Sequence, residues 1–304
     1  MIGAEWKKLL RRRWLIGIAI LLIFVDVGLF LNTQYTEKKD RVAAVPLFAE
    51  YQKETADMTN EQAQEYLTDQ LNTLSNFQFV QIALNGEVDE GLLQGLVEEN
   101  PNILEEYQQA GYEEDPLALM TKIQVISELL GQYQNVSGYQ AYLESIQTQY
   151  EQMKDSSFYE GRPYAEAQGK KTTEDFAKLQ GTEPEIGMNW GVEALMEEQI
   201  SSEILILLAL GICIVLVSQD RTHDLFGLLR SCRRGHGCLI AAKFAIALTA
   251  VLFLGISVYG SQIAIAWKLY GMGNLNRPMQ SVNELNESAR QLTVGGYLLD
   301  YYLR

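Results

Sequence analysis

No cysteine occurs between residues 32 and 202, and the whole 304-residue chain has three. A stretch that long without a disulfide is held by packing alone. Cys213, Cys232 and Cys238 lack a second pair at metal-binding spacing and read as reduced thiols. Histidine is equally scarce. His223 and His236 stand 13 positions apart with no third ligand in reach of either, and they read as solvated loop residues. There is no Walker A glycine loop, no His-x-x-x-His pair and no G-x-S-x-G elbow. The chain therefore reads as a non-enzyme, with no metal and no cofactor bound directly. Its carboxylate runs, Glu98-Glu99, Glu105-Glu106 and Glu113-Glu114-Asp115, lack the spacing of a calcium loop and read as solvated helix faces.

Basic residues are short in one region only. Residues 32–202 hold 31 acidic side chains against 10 basic ones, a formal charge of −21, whereas the whole chain carries −15. A surface of that sign repels phosphates, which excludes a nucleic-acid partner. The opposite balance holds at the N-terminus, where Lys7, Lys8, Arg11, Arg12 and Arg13 face Glu5 and Asp26 alone within the first 31 residues.

Three apolar runs remain, at residues 14–31, 200–218 and 239–267. About 20 helical residues cross about 30 Å of hydrocarbon. The first and third runs suffice, and the second reaches a workable length with its flanks at the interface. The first run is too long for a signal-peptide core, and no small-x-small site follows it, so it reads as an uncleaved anchor. The basic residues before it place residues 1–13 in the cytoplasm, and Arg221, Arg230, Arg233 and Arg234 place the 219–238 loop there too. Residues 32–199 and 268–304 then lie outside a plasma membrane. The expected class is an all-α integral membrane protein with three transmembrane helices and a large extracytoplasmic helical domain between the first two.

Within that domain, Thr59 and Gln62 form a capping-box pattern ahead of Tyr66, Leu67, Leu71 and Leu74. Asp115-Pro116 opens a second helix, with Leu119, Met120, Ile123, Ile126, Leu129 and Leu130 on one face and Gly131 as its expected stop. A third stripe follows at Tyr139, Tyr142, Leu143, Ile146, Tyr150 and Met153. Residues 158–187, with Gly161, Pro163, Gly169, Gly181 and Pro184, read as a loose connector. Residues 292–303 are apolar but too short to span, which suggests that further membrane helices follow in a longer protein.

Three features fit a membrane role. The segment EWKKLLRRR sets Trp6, Leu9 and Leu10 against Arg11, Arg12 and Arg13, as an interfacial helix or simply a topogenic cluster. Asp26 sits in the outer third of the first run, where reaching the headgroups is the plainer expectation and a polar contact with another span the alternative. Lys243, near the inner end of the third run, is expected to snorkel. Between the second and third runs, Leu225, Phe226, Leu228 and Leu229 interleave with charge in a short basic loop that a soluble partner could grip.

That loop carries a resemblance. Asp220-Arg221, then Gly227, Leu228-Leu229-Arg230-Ser231, Gly235, Leu239 and Lys243 resemble the loop after span two in membrane subunits of ABC-2 type exporters. Cys232 stands where threonine is usual and His236 where arginine is usual. The resemblance covers residues 1–31 and about 200–304, and the domain between them matches no pattern. It implies a permease that pairs with a separate ATP-binding subunit and with a second permease subunit, identical or related. ATP would be held by the partner. Leu225, Phe226, Leu228, Leu229 and Arg230 would dock on that ATPase, while Trp6, Arg11, Arg12, Arg13, Arg233 and Arg234 would anchor the chain at the lipid surface. The competing readings are a membrane-anchored sensor or adhesion protein and a scaffold. The sensor or adhesion reading accounts for the large acidic domain but gives the basic loop no work, and a sensor would be expected to carry a cytoplasmic signalling domain.

Overall fold

The structure, a computed structural model, describes residues 2–85, 90–112, 115–197, 200–222 and 235–303. Among them every regular element is helical. The one β-type pairing is an isolated bridge between Pro278 and Thr293. The chain divides into two compact units, 1–39 with 193–271, and 40–192 with 272–304.

The first unit contains α1 (Ile2–Arg11), α2 (Arg13–Asn32), α10 (Ile200–Thr222) and α11 (Gly235–Tyr270). Two helices, Arg13–Glu37 with its terminal π turn and Leu239–Tyr270, are long and apolar enough to cross a membrane. A third span is reached if α10 is joined to the short α9 (Trp190–Glu197) as one bent helix. The helices pack through Leu9, Ile204, Leu208, Ile212, Val215, Leu216, Ile246, Ala250 and Leu254. Their outer faces are apolar as well, with Phe24, Phe253 and Ile256 each about 70 % exposed (71, 69 and 73 %). Helices apolar all round are suited to hydrocarbon rather than water.

The second unit is built on a helix pair, α4 (Asn60–Leu84) and α7 (Pro116–Asp155). Thr59 starts α4 as the sequence predicts: its Oγ1 accepts from Gln62 N, and Gln62 Oε1 accepts from Thr59 N. Asp115 caps α7 through Ala118 N at 3.1 Å, with Pro116 in the first turn. The pair is antiparallel, since Gln64 reaches Tyr133 O and Ser137 while Gln78 reaches Met120. Ala63, Leu67, Leu74, Phe77 and Val80 of α4 are buried at helical intervals. Each large side chain so buried contributes roughly 1.5–3 kcal/mol before the cost of ordering. Two shorter helices, α5 (Glu90–Glu99) and α6 (Ile103–Gln109), lie beside α4, where Phe77 meets the rings of Tyr107 and Tyr112.

Two expectations fail here. Gly131 does not end α7, which runs 40 residues to Asp155, about 60 Å at 1.5 Å per residue. Leu129, Gln132 and Tyr133 around it are buried, and that packing outweighs the roughly 1 kcal/mol that glycine costs a helix. The loose connector is also largely helix: α8 spans Pro163–Ala177 and covers the far part of α7 through Phe176, Tyr139 and Leu143, joined by Leu179. Pro163 occupies the first turn of α8, where no amide donor is needed. Gly169 makes room for Tyr159 and Tyr150, whose atoms lie 2.6 and 3.2 Å from where a Cβ would stand.

Residues 178–189 run without regular structure beyond a turn and lead to Trp190, which packs on Phe48 of α3 (Lys39–Glu54) at 5.4 Å between ring centroids. The chain re-enters this unit after α11, and α12 (Val294–Leu303) closes it. The return segment is stitched by polar bonds. Asn135 donates to Gln280 O, Asn189 to Ser281 O, Asn283 to Glu128 and Glu185 N to Ser281 Oγ. Arg277 lies at its centre, 1 % exposed, with Nη2 donating to Met188 O and to Asn189 Oδ1.

Candidate functional site

The first unit has two unlike ends. One is the end where α2 finishes, α10 begins and α11 finishes. There Asp26, Ser201 and Gln262, each 1 % exposed, meet from three different helices. Ser201 Oγ donates to Asp26 Oδ1 at 2.6 Å, and Gln262 Nε2 donates to Asp26 Oδ2 at 3.1 Å and to Ser201 Oγ. Both carboxyl oxygens are therefore met, each by a donor from a neighbouring helix. A carboxyl group in an apolar helix costs on the order of 2.5–3.5 kcal/mol near the bilayer centre, and such donors offset that cost.

Two further polar contacts follow toward the same end. Tyr270 Oη donates to the buried Gln34 at 2.7 Å. Lys38 Nζ lies 3.0 Å from Glu197 Oε2. Asp26 thus does not reach for headgroups. It joins three helices, and that expectation is corrected in favour of the interhelical contact. The sequence does offer one signal for it: Gln262 is a lone amide between Ser261 and an apolar run, on the face that buries Val258 and Ala266. Ser201, Gln34 and Tyr270 carry no comparable signal.

At the other end, α1 stops at Arg11, the chain turns at Arg12 and α2 starts at Arg13. Arg11, Arg12 and Arg13 are all exposed, while Trp6 is half-buried against the apolar cluster that contains Leu9. This helix packs on α10 and α11. Lys243 is half-buried, and its Nζ donates to Leu216 O near the end of α10. It therefore ties α11 to α10 in addition to any reach toward the surface. Leu225, Phe226, Leu228, Leu229, Arg230, Arg233 and Arg234 lie outside the described residues, as do His223 and Cys232. Among the described residues, no three His, Cys, Asp or Glu side chains gather as a metal site would require.

Comparison with protein families, with curated proteins and with solved structures finds no match for this chain.

Proposed function

We propose that this chain is a permease subunit of an ABC-2 type exporter. It crosses the plasma membrane three times with its N-terminus in the cytoplasm, and residues 32–199 form an external helical domain. A separate subunit hydrolyses ATP, and a second permease subunit, identical or related, completes the pathway. The observation that carries the reading is the packing of the amphipathic α1 on α10 and α11. Those two helices border residues 223–234, within the expected 219–238 coupling loop, which bears the family-like Leu-Leu-Arg-Ser run. An ATPase held by that loop would press on a helix already seated against both spans. The all-round apolar faces of α2 and α11 support the membrane setting.

The test is co-purification of an ATP-binding subunit from native membranes, with wild type and with Phe226→Asp/Leu229→Asp. The expected result is recovery with wild type and at least tenfold less with the variant, while circular dichroism shows the helical domain intact. Equal recovery would sink the docking role of the loop. Absence of any ATPase partner would favour a membrane-anchored sensor, adhesion protein or scaffold.

A further inference from the structure

The first unit holds an apolar groove of about 600 Å3 walled by α1, α2, α10 and α11. Trp6 and Leu10 come from α1, Trp14 and Ile18 from α2, Leu207 from α10 and Phe253 from α11. The residues that join Leu10 to Trp14 are Arg11, Arg12 and Arg13, all exposed at the turn between α1 and α2. An apolar channel beside three consecutive cations matches one chemistry: a hydrocarbon chain attached to an anionic head. Size points the same way. The volume lies within the roughly 300–1,000 Å3 of small-ligand pockets.

We infer that this groove binds one anionic phospholipid, its acyl chain lying among Trp6, Trp14, Leu207 and Phe253 and its phosphate held at Arg11, Arg12 and Arg13. Gly211 lines the groove, and a Cβ placed there meets nothing within 4 Å. A leucine at 211 would reach into the groove and take the place of lipid. The inference needs the helices to lie in a membrane, and it does not depend on the exporter reading.

The full chain, purified in mild detergent, is exchanged with phosphatidylglycerol or with phosphatidylcholine of the same acyl chains and weighed intact by native mass spectrometry. Wild type is expected to retain one phosphatidylglycerol in preference to phosphatidylcholine. Each Arg→Gln change at 11, 12 or 13 lowers phosphatidylglycerol retention by about fivefold. Gly211→Leu abolishes retention of both lipids, with Gly211→Ala keeping it and circular dichroism unchanged in each. The inference is overturned if wild type retains neither lipid or both equally, if Gly211→Leu retains lipid as wild type does, or if the groove is closed by dimerisation in a lipid-free species.

Discussion

Both units of the molecule bury a charged side chain to 1 % exposure, yet they treat it differently. In the apolar unit, Asp26 has each carboxyl oxygen met by a donor from another helix. In the acidic unit, Arg277 spends Nη2 on two acceptors while its Nε and Nη1 have no hydrogen-bond partner among the described residues. Burial lowers the Arg277 pKa from its usual value, opposed by the nearby Glu185 carboxylate. The difference follows from the surroundings. Hydrocarbon offers nothing to a polar group that loses its partner, so a carboxyl among apolar helices is tolerated where neighbours satisfy it in full. A domain built on polar stitching can hold one incompletely satisfied cation, because that cation joins two carbonyl oxygens at once.

The comparison breaks first at Arg277. Arg277→Ala removes the donor to Met188 O and Asn189 Oδ1 and leaves a cavity. It is expected to lower the stability of the second unit by about 3 kcal/mol, read as thermal or urea unfolding by circular dichroism. Arg277→Met keeps most of the volume and should recover at least half of that loss. If Met is as costly as Ala, the hydrogen bonds outweigh the packing.

Asp26→Ala comes next. Gln262 and Ser201 still bond each other when the carboxyl is gone, so the expected loss is about 1 kcal/mol, in the range of interhelical bonds within bilayers. Unfolding in lipid bicelles measures it, and a loss above that of Arg277→Ala would invert the comparison. Thr59→Ala supplies a solvent-facing reference, because it removes an exposed cap for about 1 kcal/mol or less.

The smallest effect belongs to Tyr139. Its buried hydroxyl has no hydrogen-bond partner, so Tyr139→Phe is expected to be neutral or stabilising by a few tenths of a kcal/mol. Burial, aided by Tyr142, pushes its pKa up to about 12 from 10.0. The unfolded chain therefore loses this proton first, and stability present below about pH 10 is lost between pH 10 and 12. Tyr139→Phe should flatten that limb in a pH series, and an unchanged limb would assign it to other groups.

How much of this was legible depended on how local the signal was. The apolar helices, the Thr59 cap and the Asp115-Pro116 start are local patterns, and they appear within a few residues of their expected places. Gly131 and the 158–187 stretch misled because glycine and proline were weighed without their neighbours. Pro163 opens a helix, and Gly169 makes room for two tyrosine rings. The partners of Asp26 lie 175 and 236 positions away, and no window along the chain pairs them. Arg277 drew no notice for the same reason, since its acceptors, Met188 and Asn189, lie 89 and 88 residues upstream.

The placement of the Asp26, Gln34 and Lys38 contacts at a single end also sets how these helices can move. Bonds concentrated there make that end a fulcrum, and the far end, held among the described residues by apolar packing and by Lys243, has the longer throw. A tilt of about 5° about Asp26 carries Arg13, about 20 Å away along α2, through about 2 Å. Small rotations at the clasped end would become ångström-scale travel where α1 and the basic turn lie.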